Sequence, residues 1–307
     1  MVGGCLAAAA ATSASQPAGA VIVSGSNGTG TANVLPNSTP PVAGWANAGT
    51  ILSGSGVYLG NQWVLTVSHI APNATIGSGT PFTLTSGAVL TTDQTSVRLV
   101  NPSDNSPTDL LLLHVSTDPA LQRVNLSSAT PTLGTTIYSM GNGLTRSSSL
   151  QYFNTSTNPW TVVAGPTATS GYTESSPRVY RWGSNVTAAF PGTAAATGQT
   201  SVGSGTVTAF ASDFDSNGTT SEMQVSTGDS GGPVFNAANV LVGLNVTAYN
   251  FNGQPTDTAV FGDASAYVDL SVYRNQIVSV TGVPEPSTLV AGAAAAAGLL
   301  LRRRRRA

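Results

Sequence analysis

The sequence predicts an all-β protein that ends in a single helix. Short runs of β-branched and aliphatic residues alternate with Gly, Pro, Asn and Ser, a pattern typical of a β-sandwich or a pair of barrels rather than of βαβ units. The runs GVYLG and QWVLTV flank the turn residues Gly60 and Asn61, which indicates a hairpin. Near the end, Val268, Val272 and Ile277 approximate one face of a helix.

The composition is typical of a secreted β protein. Hydrophobic residues make up 40% of the 307 residues, charged residues only 8%, and lysine is absent. Residues 1–283 hold six Arg against 12 Asp and Glu, a net charge of 6 − 12 = −6, which argues against nucleic acid as a partner. The single cysteine, Cys5, allows neither an internal disulfide nor a thiolate metal cluster.

The first 20 residues contain a short apolar run and Ala-x-Ala-like sites, but no basic start. They predict a signal peptide over residues 1–20, weak or truncated by a late start codon. A disordered Ala/Ser-rich terminus is the alternative. The VGGC stretch has the form of a lipobox, but no apolar segment precedes it, which argues against lipidation.

The C-terminal end has three parts in order: Pro284, Glu285 and Pro286, an apolar stretch at 289–301, and five arginines. This resembles the PEP-CTERM sorting signal of Gram-negative bacteria. The resemblance implies that residues 283–307 are processed by an exosortase-like peptidase, and that the protein passes the inner membrane and periplasm to the outer surface or the medium. The apolar stretch is shorter than the roughly 20 residues that span a bilayer. We therefore expect transient membrane association, with a permanent transmembrane segment as the alternative.

The stretch TGDSGGPVF, Thr227–Phe235, is the first candidate site. A serine hydroxyl is a poor nucleophile near neutral pH and needs an adjacent base, usually histidine, held by a carboxylate. Backbone N–H groups on a Gly-rich turn can stabilise the developing oxyanion. Ser230 and Gly228 fit these needs. The alternative is an ordinary Gly-rich turn in a chain with 34 glycines.

One of two histidines has the surroundings of a catalytic base. His69 follows a β-run that ends at Val67, within GSGVYLGNQWVLTVSHI. This stretch resembles the histidine motif of the chymotrypsin/trypsin family of serine proteases. It differs by Val67-Ser68 in place of two alanines and by Ile70 in place of a cysteine.

The same family has an aspartate that opens a strand, and TDLLLLHV offers Asp109. Asp104 is the competitor, but no apolar run follows it directly. His114 ends the same strand on the opposite face from Asp109, so we expect a structural role for it. The order His69, Asp109, Ser230 is the order of the chymotrypsin family.

The resemblance covers about residues 44–280 and implies two packed six-stranded antiparallel Greek-key β-barrels with a short C-terminal helix. It also implies a secreted serine endopeptidase for protein or peptide substrates that needs no metal and no cofactor. In that mechanism Ser230 attacks the peptide carbonyl, His69 transfers the proton and Asp109 orients the imidazole. The N–H groups of Gly228 and Ser230 bind the oxyanion.

Ungapped counting against the family predicts the substrate pocket. The residue six before the nucleophile lies at the base of the family's primary pocket, which places Gln224 there. Val246, Thr247 and Ala248 replace the usual Ser-Trp-Gly, and the far wall falls near Ala259. These residues predict a neutral pocket for small or medium apolar side chains.

Two points stay open from the sequence. Many relatives have a freed N-terminus that pairs with the aspartate before the nucleophile, here Asp229, but no basic cleavage site is apparent. Either this aspartate has another partner or the oxyanion loop is preformed. A non-catalytic surface adhesion or binding protein on the same fold is the alternative function, and an esterase is a third.

Overall fold

The structure, a computed structural model, describes four stretches of the chain: 21–24, 43–71, 76–203 and 205–283. The predicted signal peptide, the sorting residues Pro284, Glu285 and Pro286 and the apolar stretch at 289–301 lie outside these ranges. Within them, no helix combines the length and apolar character needed to cross a membrane.

Six antiparallel strands form a closed barrel in the first half of the chain. After the short strand β1 (Ile22–Val23), they are β2 (Ala48–Ile51), β3 (Gly54–Gly60), β4 (Trp63–Val67), β5 (Pro81–Leu84), β6 (Val89–Val100) and β7 (Pro107–Val115). They pair in the order β2-β3-β4-β7-β6-β5. Aliphatic side chains of β3, β4 and β7 fill the barrel, which is why these strands are almost wholly buried.

An eleven-stranded sheet forms most of the second half, while β15 pairs with β1 in a separate two-stranded sheet. The remaining strands are β8 (Asn125–Leu126), β9 (Thr136–Arg146), β10 (Gln151–Asn154), β11 (Thr161–Val163), β12 (Ser170–Ala188), β13 (Thr197–Val202), β14 (Gly205–Asp213), β15 (Met223–Gln224), β16 (Pro233–Asn236), β17 (Val240–Tyr249), β18 (Thr258–Val260) and β19 (Ala264–Asp269). The central order is β11-β10-β12-β9-β16-β17-β19-β14-β13, with β8 and β18 joined at the side.

Six strands of this sheet close into a second ring. The run β12-β9-β16-β17-β19-β14 returns to its start because β14 also pairs with β12, at Thr187↔Ser212 and Ala188↔Ala211. Strands β10, β11 and β13 extend the sheet beyond the ring. One continuous hydrophobic core contains residues of both halves, so the two barrels pack as one body.

A single helix, α1 (Leu270–Thr281), follows the last strand. The Asp269 side chain caps its first turn by accepting the Ser271 N–H, and Gly282 ends it in the left-handed conformation. Tyr273 and Ile277 are buried on one face. The predicted all-β class and the C-terminal helix are confirmed. The predicted helical face was wrong at Val268, which lies in β19, because the helix begins only at Leu270, after the Asp269 cap.

Candidate active site

The register of the first barrel brings His69 and Asp109 together. Val67 at the end of β4 lies opposite Leu110 near the start of β7. A 3₁₀ turn, Ser68–Ile70, begins directly after β4. As a result His69 Nδ1 lies 2.5 Å from Asp109 Oδ2, with the Asp109 side chain fully buried.

The Asp109 carboxylate is held on both oxygens. Its Oδ1 accepts the Ser68 hydroxyl at 2.8 Å and the His69 backbone N–H at 3.0 Å. Because the carboxylate accepts from Nδ1, the neutral imidazole carries its proton there and leaves Nε2 as an acceptor. The sequence pattern identifies Ser68 only as a departure from alanine, but its hydroxyl is a hydrogen-bond donor to Asp109.

Ser230 completes this chain of contacts from the second barrel. Its Oγ lies 2.7 Å from His69 Nε2, and the side chain is almost fully buried. Ser230 sits in the turn between β15 and β16. The three residues predicted from the sequence are thus within hydrogen-bonding distance in the order Asp109, His69, Ser230.

Two glycines of the Ser230 turn have positive φ, +113° at Gly228 and +83° at Gly231. A Cβ on Gly228 would lie 2.4 Å from the Asn142 carbonyl oxygen, and one on Gly231 would lie 2.4 Å from the Ser55 carbonyl oxygen. Conformation and space therefore both require glycine at these positions.

Ser55, in β3, fixes the Ser230 turn from the first barrel and was missed by sequence analysis. Its hydroxyl donates to the Gly228 carbonyl oxygen at 2.9 Å and accepts the Asn142 N–H at 3.0 Å. Its own N–H donates to the Ser230 carbonyl oxygen at 2.8 Å. Among the described residues, the Gly228 N–H has no acceptor.

The turn between β13 and β14 packs against the other side of the site. A Cβ on Gly203 would lie 2.9 Å from His69 Cβ, and one on Gly205 would lie 2.6 Å from the Asp109 nitrogen. This turn leaves no room for side chains at these glycines. Its sequence, VGSGTV, gives no indication of contacts with His69 and Asp109, which lie 134 and 96 positions before Gly203 and Gly205.

The competing residues lie elsewhere. His114 Nδ1 lies 2.5 Å from Asp93 Oδ2, and the imidazole packs edge-on against Trp63 with ring centroids 5.1 Å apart. Asp104 is in an exposed loop, where it accepts the Ser106 N–H at 2.9 Å. Neither residue joins His69 or Ser230.

The predicted pocket residues lie on three different strands, β15, β17 and β18. Gln224 is buried in β15, and Ala259 is buried in β18. Val246 and Thr247 are buried in β17, and Ala248 is half-buried. A bulge in the pairing of β17 with β19 lies between Asn245 and Thr247, at Val246.

The sequence matches the family model of the trypsin-like peptidase domain over residues 54–244, more than half of the chain. The chain belongs to the trypsin-like peptidase family. Residues 282–306 match the PEP-CTERM protein-sorting motif, which indicates export and surface sorting in a Gram-negative bacterium.

Solved structures resemble this chain at low sequence identity. A mutant of human heparin binding protein has a TM-score of 0.50 at 14% identity, and the match covers 81% of this chain and 96% of that one. Mouse neuropsin, a serine protease expressed in the limbic system of the brain, has a TM-score of 0.43 at 16% identity, with 79% and 96% covered. The MamO protease domain of Magnetospirillum magneticum has a TM-score of 0.41 at 15% identity, with 76% and 96% covered. A search of curated proteins gave no match.

Asp229 of this trypsin-like peptidase is buried beside the nucleophile. Its Oδ2 accepts the Ser226 N–H at 3.2 Å, while Oδ1 has no partner among the described residues. Burial raises the pKa of Asp229 well above its usual range, and the charges of Arg181 and Arg178 oppose that shift. The Arg181 Nη1 donates to the Val21 carbonyl oxygen at 3.3 Å, so this arginine also contacts the segment that contains β1.

Two further carboxyls of the peptidase domain contact Gln224 and Ser226, the buried Asp263 and the half-buried Glu174. Gln224 Nε2 donates to Asp263 Oδ2 at 3.1 Å, and the Ser226 hydroxyl donates to Glu174 Oε2. Burial raises the pKa of both Glu174 and Asp263 to about 7. The expectation of a neutral pocket did not include these acids, because they lie 56 and 33 positions from Ser230 in the sequence.

Proposed function

We propose that the protein is a secreted serine endopeptidase that cleaves peptide bonds through Ser230, His69 and Asp109. The observation that carries this proposal is the pair of contacts at His69. Its Nδ1 lies 2.5 Å from Asp109 Oδ2, and its Nε2 lies 2.7 Å from Ser230 Oγ. A nucleophile, a base and an orienting acid in this arrangement can activate a serine hydroxyl near neutral pH.

The proposed reaction begins when Ser230 Oγ bonds to the carbonyl carbon and its proton passes to His69 Nε2. Asp109 stabilises the imidazolium that results. The C–N bond then breaks as Nε2 gives the proton to the leaving amine, which leaves an ester on Ser230. A water molecule, deprotonated by the same nitrogen, attacks this acyl-enzyme, and the proton returns to Ser230 as the acid product leaves.

The Gly228 and Ser230 N–H groups are the proposed donors to the oxyanion. The lack of an acceptor for the Gly228 N–H among the described residues supports its role. Ser55 bonds to the carbonyl oxygens of both Gly228 and Ser230, so the turn is fixed on either side of Asp229. Donors held in place before reaction need little reorganisation when charge develops.

The site of action follows from the C-terminal motif. The match over 282–306 indicates sorting to the surface, and we propose that an exosortase-like peptidase processes Pro284–Pro286 after passage through the inner membrane. The substrate is then a protein or peptide outside the cytoplasm. The apolar stretch at 289–301 associates with the membrane only until that cleavage.

The test is active-site labelling of the full chain with a fluorophosphonate, followed by identification of the labelled residue. We expect labelling at Ser230 and cleavage of unfolded protein substrates, both lost in Ser230→Ala and strongly reduced in His69→Ala. Equal, weak labelling of the wild type and Ser230→Ala would contradict the proposal. A folded but unreactive protein would instead favour the non-catalytic binding function.

A further inference from the structure

Arg178 is an exposed cation beside the turn that carries Ser230. It lies on β12, where the pairing with β9 shifts register between Ser175 and Arg178. A Cβ on Gly228 would lie 3.3 Å from Arg178 Cδ. The aliphatic part of the arginine therefore packs against the residue whose N–H is a proposed oxyanion donor. A positive charge is thus held at the edge of the candidate active site.

One hydrogen bond directs the guanidinium group of Arg178. Its Nη1 donates to the Ser53 carbonyl oxygen at 2.6 Å, across 125 positions of the chain. Within the described residues, Arg178 forms no second hydrogen bond and no ion pair. A guanidinium group has five N–H donors in a planar fork, and a carboxylate can accept two of them at once. Most of the donors of Arg178 are therefore open to an acceptor from solution.

Ser53, the partner of Arg178, lies between the two turns that carry the nucleophile and its base. The Ser53 hydroxyl donates to the Ile70 carbonyl oxygen at 3.0 Å, directly after His69. A Cβ on the next residue, Gly54, would clash with Ile70 and lie 2.8 Å from the Ser230 carbonyl oxygen. The guanidinium group is thus attached to the segment that joins the His69 turn to the Ser230 turn.

This placement puts Arg178 on the leaving side of the site. In the proposed reaction His69 gives its proton to the leaving amine, so the residues after the scissile bond lie beside the His69 turn. The predicted substrate pocket is elsewhere. Arg178 lies six residues further along β12 than Tyr172, which pairs with Ala259 of the predicted far wall. At about 3.3 Å per residue of strand, the arginine is well separated from that wall.

An exposed leucine next to Ser53 supports a binding role for this region. Leu52 is 53% exposed and has a φ of +50°. It lies in the two-residue turn between β2 and β3, where Gly or Asn is favoured at positive φ. A bulky residue in this conformation is unfavourable and gains no burial in the free protein. Contact of Leu52 with a bound peptide would offset that cost.

We propose that Arg178 is a specificity-determining residue for the leaving side, where it binds the carboxylate of an aspartate or glutamate at the first or second residue after the scissile bond. The reach fits, because an extended residue spans about 3.5 Å and Arg178 Cδ packs directly on Gly228. Leu52 would contact the apolar part of the same segment. The inference rests on the proposed function. Because residues 1–283 hold six Arg against 12 Asp and Glu, long-range attraction does not favour acidic peptides, and the preference depends on this contact.

Cleavage by the full chain tests this with peptides that share one apolar acyl half and carry Glu or Gln at each of the two positions after the scissile bond. At low salt we expect kcat/KM for the better-placed Glu to exceed that for Gln by about five- to tenfold, falling to about twofold in about 0.5 M salt. Arg178→Gln should lower the ratio to about one or below. Arg178→Lys should keep about two- to threefold, since lysine supplies the charge without the fork. Arg123→Gln replaces an exposed arginine outside the site and should keep the wild-type ratio.

A substrate with aminomethylcoumarin as its leaving group separates carboxylate binding from support of the Ser230 turn. This control is needed because the charge of Arg178 also acts on Asp229. Such a substrate offers Arg178 no carboxylate. If Arg178→Gln lowers its kcat/KM as much as that of the Glu peptide, Arg178 supports the turn and the proposal is wrong. A Glu-to-Gln ratio near one in the wild type would also overturn it.

A binding measurement separates this inference from the proposed function. Fluorescently labelled Glu peptide should bind Ser230→Ala at least about fivefold more tightly than the Gln peptide, and Ser230→Ala/Arg178→Gln should lose this difference. If the wild type neither labels with a fluorophosphonate nor cleaves, but the Glu peptide binds through Arg178, the site stands and the peptidase function fails. If the wild type cleaves both peptides equally and Arg178→Gln changes nothing, the peptidase stands and this inference is wrong.

Discussion

The Ser55 hydroxyl donates a 2.9 Å hydrogen bond to the carbonyl oxygen of Gly228, 173 positions later in the chain. This bond crosses from the first barrel to the turn that carries the nucleophile. Because Gly228 has no side chain to restrict its backbone, such contacts from outside the turn define the orientation of its peptide groups. Ser55 is therefore a positioning residue for the proposed oxyanion donors.

Replacing Ser55 with alanine should impair turnover more than substrate binding. The change leaves the Asn142 N–H and the buried Gly228 carbonyl without their shared partner, at a stability cost of about 1–2 kcal/mol. We expect kcat to fall by about 10-fold or more with KM within about threefold, measured by steady-state cleavage of a peptide. Ser279→Ala, an exposed serine on α1, should change neither. A Ser55→Ala enzyme with unchanged kcat would show that the turn holds its geometry without this bond.

Ser68→Ala removes one of three hydrogen bonds to the Asp109 carboxylate. The other two should keep His69 in place, so we expect kcat/KM to fall by only about three- to tenfold. Asp109→Asn should reduce kcat by about 10⁴-fold, because an amide disfavours the tautomer that receives the Ser230 proton. Pre-steady-state acylation measures both effects directly. Equal losses of the acylation rate in Ser68→Ala and Asp109→Asn would show that Ser68 is as important as the Asp109 carboxylate.

Substitution by glutamine should abolish fluorophosphonate labelling at one histidine and leave it nearly unchanged at the other. His69→Gln removes the group 2.7 Å from Ser230 Oγ and should abolish fluorophosphonate labelling. His114→Gln affects a partly exposed pair with Asp93 on another face of the barrel. We expect its labelling rate to stay within about twofold of the wild type, with a stability change below about 1 kcal/mol. Loss of reactivity in His114→Gln at unchanged thermal stability would assign that residue to the site.

Stability should fall as pH rises through neutrality. Glu174 and Asp263 have folded pKa values of about 7, above their usual values of 4.5 and 3.8. At pH values between the usual pKa and the folded pKa of these groups, the folded state binds more protons than the unfolded state. The free energy of unfolding therefore decreases with increasing pH. Glu174→Gln and Asp263→Asn should each raise stability at pH 8 relative to the wild type, by about 1–3 kcal/mol, and have less effect at pH 5. Chemical denaturation at the two pH values provides the measurement, with Asp257→Asn as control.

Short sequence motifs identified those residues of the candidate site whose neighbours in the chain form a distinctive pattern. His69, Asp109 and Ser230 each stand in a distinctive local sequence, and the structure brings them together. The helix was predictable because Val272 and Ile277 approximate a helical period, although Val268, predicted on the same face, lies in β19. The hairpin was predicted one position early, since the turn uses Asn61 and Gln62, both with positive φ.

Features that depend on distant pairing were not predictable. Asp263, between β18 and β19, contacts Gln224 at the end of β15, and no local pattern marks that contact. Ser55 occupies an ordinary position in a strand, and its partners are 87 and 173 positions away. Closure of the second ring rests on two residue pairs between β12 and β14, which carry no periodic pattern. Such contacts follow from tertiary packing, which single-sequence patterns do not encode.

The 2.7 Å contact between His69 and Ser230 joins two barrels, and neither barrel holds both residues. The reactivity of the Ser230 hydroxyl therefore depends on the relative position of the two barrels. If only one barrel were folded, Ser230 would lack its base or His69 would lack its nucleophile. During export, the proposed peptidase activity would therefore begin only after both barrels have folded and packed together.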